Sequence, residues 1–592
     1  MLTQNQFAII NVLYKQPKST QRDIAQATNL GLATVNSAMK ECRDQHLVNQ
    51  YGLTQEGISS LEPYKVDNAI IMAAGLSSRF APISYEKPKG LLTVRGEILI
   101  ERQIRQLQAA GINNITIVVG YKKESFFYLE DKFNVRLVIN PHYADRNNNE
   151  SLYLVRERLG NTYICSSDDY FEENPFENHV WGSYYAAEWS EGDTKEWCLT
   201  LGPHDRITNV AVGGSHAWYM LGHAYFDKAF SARFREILEQ EHGRADTADK
   251  LWENLYMEHI HEFDMRIRRY PANYIHEFDS LSEVQQFDPL FLENLDSEIF
   301  NNICSTLGCD INEIHDVYPL KQGLTNLSCH FATNDGEWVY RHPGPGTELL
   351  VDRQAELKAL ETARDLNIDH TFVYEDPKNG WKISRFVPNA KNLDAHNREQ
   401  LRAAMKLAHR LHSSAAKVDR QFSFYDEGRR YEQAALERGP IEDPNWTEMR
   451  EQASRLNDYL VSEGGEPVLC HNDFFGLNFL VSEEGDIDLI DWEYAGMGDY
   501  ANDFGTFSVC EQLSEEEMRE ALTDYFGRTP TPQEWRHNLA QVGLAGWCWY
   551  VWALLKLAEG DDPSEWTYIY YRAARTYLNK ALALYENDSA TS

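Results

Sequence analysis

Residues 69–73, Ala-Ile-Ile-Met-Ala, are an apolar run without alternation that breaks straight into Ala74-Gly75-Leu76-Ser77-Ser78. A strand of that kind is covered on both faces, which places it in a parallel sheet flanked by helices. The segments that follow keep the pattern: helical "LIERQIRQLQAAG", strand "NITIVVGY", helical "ESFFYLEDKF", strand "VRLVIN". Over residues 66–288 this order predicts a parallel α/β sheet wound from βαβ units. Ligands of such sheets collect at the carboxyl ends of strands, where Gly75, Gly120 with Tyr121, and Asp168 converge. The N–H groups of Ala73, Ala74, Gly75, Ser77 and Ser78, together with Arg79 and Lys89, make a polyphosphate cradle.

At 592 residues the chain exceeds one hydrophobic core, so several domains are expected. The formal charge of -35 argues against broad nucleic-acid binding, and anionic nucleotides must be drawn by local cations and metal. Nine cysteines without C-x-x-C spacing fit free thiols in a reducing compartment better than disulfides or zinc. No apolar stretch reaches the roughly 18 residues of a membrane span. The opening "MLTQNQFAIINVLYKQ" lacks a basic leader, so no signal peptide and a cytoplasmic setting are expected.

Residues 1–64 carry three helical segments, with Thr20 as an N-cap, and then a short "VNQYGLTQEG" ribbon. Helix, helix-turn-helix and ribbon describe a winged helix-turn-helix. Thr34, Asn36, Ser37 and Lys40 are suitable DNA contacts on its third helix. Yet Lys15, Lys18, Arg22, Lys40 and Arg43 are balanced by Asp23, Glu41, Asp44, Glu56 and Glu62. A module of zero balance lacks the usual basic footprint, so DNA is a candidate partner of modest affinity that would need a homodimer. Near residue 290 the pattern restarts as a strand meander, and residues 290–592 continue as a mostly helical lobe interrupted by "PVLCHNDFFGLNFLV" and "GDIDLIDWEYAGMGD".

Residues 66–288 resemble the CTP:phosphocholine cytidylyltransferases, on "MAAGLSSRFAPISYEKPKGLL", "GINNITIVVGY", "NNNESLY", "SSDDYF" and the terminal "HEFDS". The resemblance implies that Lys89 and Arg79 stabilise the phosphates of CTP, and that Asp168, Glu277 and Asp279 hold Mg²⁺. It assigns Asn148, Asn149 and Ser151 to the acceptor site, and Trp197 and Tyr219 are candidates for a cage around a quaternary ammonium. Related sequences often carry a further Asp where this chain has Ser166.

Residues 290–592 resemble the choline and aminoglycoside kinases. His471, Asp473 and Asn478 have the His-x-Asp-x4-Asn spacing of kinase catalytic loops, which makes Asp473 the proton acceptor and Asn478 a Mg²⁺ ligand. Asp491 is the second metal ligand, Glu493 lies on the same face, and Asp503 braces the loop. Gly323, Thr325 and Asn326 lie near the ATP phosphates, while Arg341 and its partner Glu356 replace the usual lysine–glutamate pair. Trp549, Trp552 and Tyr568 match the aromatic cage that choline kinases offer to trimethylammonium.

The expected fold is therefore multidomain: a winged helix, a nucleotidyltransferase α/β sheet and a protein-kinase-like choline kinase. The expected function is choline phosphorylation followed by cytidylyl transfer to phosphocholine. Alternatives are the same chemistry on ethanolamine, an aminoalkyl phosphonate or another amino alcohol, or a choline-sensing transcriptional regulator.

Overall fold

The non-alternating run of residues 69–73 lies at the centre of a seven-stranded sheet, as the strand Asn68–Ala73. The structure is a computed structural model and describes residues 2–320, 326–344, 351–560, 563 and 565–591. It contains two compact units, Met1–Pro319 and Leu320–Ser592.

In the first unit, Thr162–Ser166, Asn68–Ala73, Ile115–Val119 and Arg136–Ile139 run parallel in that spatial order. The other half of the sheet departs from the expected βαβ winding. Tyr184–Leu201 and Ile207–Phe226 form a long antiparallel hairpin, whose second strand also runs antiparallel to Thr162–Ser166. The sheet is mixed because this hairpin leaves most residues of its outer part exposed or half-buried, and an antiparallel pair needs no crossover helix. A short strand pair, Asp169–Phe171 with Ile275–Glu277, brings the acidic strand end to the later "HEFD" segment.

The first helices are Gln4–Lys15, Gln21–Thr28 and Leu32–Asp44, followed by the ribbon Val48–Asn49 and Gly52–Leu53. Thr3 and Thr20 each close a capping box, with Gln6 and Asp23, and so satisfy N-terminal amides reciprocally. Ile9, Ile10, Leu13, Ile24, Val35 and Met39 fill the small core. The module is docked on the sheet domain. The rings of Phe7 and Tyr64 meet Trp181 at 5.7 and 5.1 Å, and Lys15 Nζ lies 2.7 Å from Glu177. Asn36, Ser37 and Lys40 are exposed on the third helix, with Thr34 half-buried.

The pattern restart near residue 290 and the compact division after Pro319 are different boundaries. The helix Glu298–Leu307 folds with the first unit because Glu86 takes its N-terminus: the carboxylate accepts from Ser297 Oγ and from the Ile299 N–H at 3.1 Å.

In the second unit, Asn326–Thr333, Gly336–Pro343, Trp381–Arg385 and Phe372–Asp376 form an antiparallel meander in that spatial order. The helix Pro532–Glu559 is apolar nearly all round, which demands burial on every side. Its Trp547 and Trp549 lie within one core with Trp492, Phe507 and Leu578. Two small antiparallel strand pairs lie beside that core: Val468–Cys470 with Gly496–Gly498, and between them in the chain the hairpin Phe479–Val481 with Ile487–Leu489.

Candidate active sites

In the first unit a cleft of about 650 Å³ opens at the carboxyl end of Asn68–Ala73. Ala73, Ala74, Gly75, Ser77, Ser78, Arg79, Lys89, Asp168 and Asp279 all line it, so the cradle and the acidic residues converge as expected. Gly120 and Tyr121 sit behind the cradle instead. A Cβ on Gly120 would lie 2.8 Å from the Ala74 carbonyl oxygen and 2.6 Å from Tyr143, so only glycine allows the loop to lie this close. Tyr121 donates its N–H to that same carbonyl at 3.1 Å.

Lys89 Nζ meets Asp168 Oδ2 at 2.5 Å, and Arg79 meets Asp279 at 2.9 Å. Burial opposes charge on Lys89, but Asp168, with Glu277 and Asp279 beyond it, holds the ammonium above the ordinary lysine range. Glu277 lies directly across from Asp169 in the strand pair. It does not line the cleft and its side chain reaches solvent, yet desolvation by the surrounding protein and then the Asp168 carboxylate push it up to about 8. Asp169, which sequence reasoning left without a role, is 1% exposed, and among the described residues neither carboxylate oxygen has a well-formed hydrogen bond. Burial, then Glu277 and Asp168, raises it well above the carboxylate range. Crowded carboxylates of this kind call for a cation.

The acceptor-side residues divide. Asn148 and Ser151 line the cleft; Asn149 does not, and donates instead to the carbonyls of Thr247 and Lys250. Asn148 accepts from the Trp252 N–H at 2.7 Å and reaches Glu253 at 3.4 Å. Glu253 also takes the Tyr185 hydroxyl at 3.3 Å, and burial pushes it up to about 7. Sequence reasoning missed this carboxylate, which lies on the short helix Trp252–Glu258 with no motif around it. Trp197 and Tyr219 are half-buried on the long hairpin, outside the cleft lining. Trp197 packs against the apolar core and Tyr219 pairs across the strands with Glu188.

In the second unit Asp473 receives the Asn478 side-chain amide at 2.9 Å. That orients the Asn478 carbonyl oxygen as the donor for a cation. Burial, then Asp491, pushes Asp473 up to about 8. Asp503 accepts the N–H groups of His471 and Asn472 at 3.0 and 2.6 Å, and so braces the loop. Asn326 donates to Glu493 at 3.0 Å; Gly323 and Thr325 lie outside the described residues. Arg341 is 6% exposed, bonds Glu356, and reaches Asp491 at 2.7 Å. Burial disfavours both charges of the Arg341–Glu356 pair, but mutual attraction raises the arginine and lowers the glutamate to about 2.

Trp549 and Trp552 stand edge to face at 6.3 Å, with Tyr494 5.5 Å from Trp549. Tyr568 is not brought to them: it is 65% exposed. Two residues apart on a helix point to nearly opposite sides, and it is Tyr570 that turns inward, with Asp473 and Tyr494 among its electrostatic neighbours.

His537 ties the segment after the loop to a neighbouring helix, 2.8 Å from Asp499 and 2.9 Å from Glu463. Burial disfavours its charge, but these two carboxylates outweigh that and raise it to about 9. The raised value stabilises the fold fully below pH about 6.5 and loses that contribution as pH rises through about 9. Urea unfolding of the second unit is therefore expected to lose up to about 3 kcal/mol between those limits. His537→Asn should flatten that slope, and an unchanged slope refutes the assignment.

The fold and the two sites define a nucleotidyltransferase and a phosphotransferase on one chain behind a winged helix. Family models match accordingly: winged helix-turn-helix DNA-binding over residues 2–49, MobA-like NTP transferase domain over 69–167, and phosphotransferase enzyme family over 316–537. The choline-phosphate cytidylyltransferase of Streptococcus pneumoniae is 36% identical over 222 residues, 38% of this chain and 97% of that protein. The 2-aminoethylphosphonate cytidylyltransferase of Lancefieldella rimae is 36% identical over 225 residues, 37% of this chain and 92% of that protein. A solved choline kinase, LicA of Streptococcus pneumoniae, matches 48% of this chain and 100% of its own at 25% identity, with a TM-score of 0.42. Through its first unit, the chain belongs to the cytidylyltransferase family that the first two relatives represent.

Proposed function

We propose that the chain carries out two consecutive steps: phosphorylation of choline by ATP, then cytidylyl transfer from CTP to the phosphocholine formed, with release of pyrophosphate. The observation that supports this reading is that two polar clusters stand on one chain, Lys89 with Asp168 and Glu277, and Asp473 with Asn478 and Asp491. The product of the second set is the acceptor of the first.

In the kinase step Asp473 accepts the proton of the alcohol as its oxygen attacks the γ-phosphorus and ADP leaves. In the transferase step a phosphate oxygen attacks the α-phosphorus of CTP. The N–H groups of residues 73–78, with Arg79, carry the charge that builds on the departing pyrophosphate, and Lys89 stabilises the charge at the α-phosphate. Asp168, Glu277 and Asp279 on one unit, and Asp491 with the Asn478 carbonyl on the other, are hard oxygen donors that suit Mg²⁺. Bound there, Mg²⁺ would lower repulsion between the anionic reactants.

The 2-aminoethylphosphonate reading is weaker for a chemical reason. A phosphonate already holds phosphorus on carbon, so its activation needs no kinase, whereas an alcohol does. The aromatic cluster of Trp549, Trp552 and Tyr494 also favours a quaternary over a primary ammonium. Replacing both tryptophans by leucine should raise the choline KM about tenfold or more. An unchanged KM with lowered stability would make them packing residues only.

DNA is the candidate partner of the winged helix, through the exposed Asn36, Ser37 and Lys40, with the enzyme as a homodimer. Among the described residues no helix is long and apolar enough to cross a membrane. A cytoplasmic setting is proposed because CTP and ATP are supplied there and all nine cysteines are free thiols. The deciding experiment is incubation with choline, ATP, CTP and Mg²⁺, with products resolved by mass and a parallel arm offering 2-aminoethylphosphonate and CTP. Absence of phosphocholine and CDP-choline overturns the proposal; cytidylylation of the phosphonate alone installs the alternative.

A further inference from the structure

The segment bearing Glu277 and Asp279 reaches the cleft from far along the chain, and its seat is built by residues outside the cleft. After the strand Arg266–Arg269 the backbone reverses through Asn273, whose φ of 61° is left-handed. Such a turn points successive N–H groups to one side. Three of them converge on one carboxylate: Glu188 accepts from Asn273 at 3.0 Å, Tyr274 at 3.0 Å and Ile275 at 2.8 Å. Glu188 is 3% exposed, so its carboxylate is buried; the bond from Ile275 is fully buried and those from Asn273 and Tyr274 partly so. Gly222 completes the seat from the neighbouring strand. Its φ is +82° and a Cβ there would lie 2.9 Å from Ile275 Cγ2, so glycine alone leaves room for that side chain. Seated this way, Ile275–Glu277 pairs with Asp169–Phe171 in a register that sets Glu277 across from Asp169.

We propose that Glu188 is a positioning residue for cytidylyl transfer: by gathering the amides of Asn273, Tyr274 and Ile275, it fixes the register that presents Glu277 and Asp279 to the metal–nucleotide. The inference rests on the reading of Glu277 as a metal ligand. No motif marks Glu188, and its role depends on a turn more than 80 residues away.

The test uses the full chain and Mn²⁺·CTP as probe, with calorimetric affinity and hydrogen exchange of residues 270–280 measured on wild type, Glu188→Gln, Glu188→Asp and Glu277→Gln. Choline phosphorylation by the second unit serves as the control for intact protein. Glu188→Gln keeps shape but removes the charge that holds three donors. It is expected to speed exchange at Asn273–Ile275 at least tenfold and weaken Mn²⁺·CTP about tenfold, with phosphorylation unchanged. Glu188→Asp, which keeps the charge on a shorter stem, should move both readings together by a smaller factor and covers the case in which the amide variant does not fold. Glu277→Gln should weaken the probe without speeding exchange. Wild-type affinity in a Glu188 variant whose exchange has risen overturns the positioning role, and so does unchanged exchange in both variants. Undiminished affinity in Glu277→Gln instead overturns the ligand reading on which the inference stands.

Discussion

Asp473→Asn is expected to lower the rate of choline phosphorylation by about 10³-fold while leaving cytidylyl transfer to supplied phosphocholine unchanged. The substitution keeps side-chain volume beside Asn478 and removes the only change that matters to the step, the capacity to take the hydroxyl proton. Its neighbours argue for that role. Asp491 and Glu493 face the group, and Asn478 holds it in one orientation at 2.9 Å. Separability follows from the architecture, since each unit has its own apolar core. Discontinuous assays of phosphocholine and CDP-choline on the same preparation check it. Loss of both activities in a folded variant would mean that the chemistry is not divided as assigned.

Lys89→Met should act on the other half, lowering pyrophosphate release by about 10²–10³-fold with phosphorylation intact. Methionine preserves the apolar stem over Phe80, which the ammonium overlies at 4.9 Å, and deletes the charge. The cost arises twice. The transferring phosphoryl group loses a preorganised cation, and Asp168 loses its 2.5 Å partner while Glu277 and Asp279 remain close. The second effect predicts weaker CTP binding as well as slower turnover, so both KM for CTP and kcat should change. A change in KM alone would place Lys89 in ground-state binding rather than at the reacting phosphate.

Much of the molecule was legible because its signals are local. The strand Asn68–Ala73 and its cradle follow from a non-alternating apolar run that meets small residues. The cap at Thr20 and the helix after it follow from side chains three residues apart. The same holds for the Asp473–Asn478 pair and for the Asp503 brace, whose partners lie on a loop and helix of recognisable spacing. What failed to show was of another kind. The long hairpin was missed because its outer strands are too polar to read as sheet; the pairing of Tyr184–Leu201 with Ile207–Phe226 supplies the order instead. Tyr568 and Tyr570 carry the same chemistry two positions apart, and only the packed face of the helix chooses between them.

By itself, then, the sequence determined the order of modules, the small-residue loop after Asn68–Ala73 and the Asp473–Asn478 pair, since each rests on residue types at short spacing. Tertiary structure alone decided where the winged helix docks, that Asn149 and Tyr568 point away from their expected partners, that Asp169 faces Glu277 and Glu253 meets the cleft residue Asn148, and that Glu188 holds the turn before Ile275, outside the cleft. These last depend on which distant segments meet. A carboxylate in an undistinguished stretch takes its role from backbone amides or charges that the chain returns only after folding, and no local pattern encodes that return.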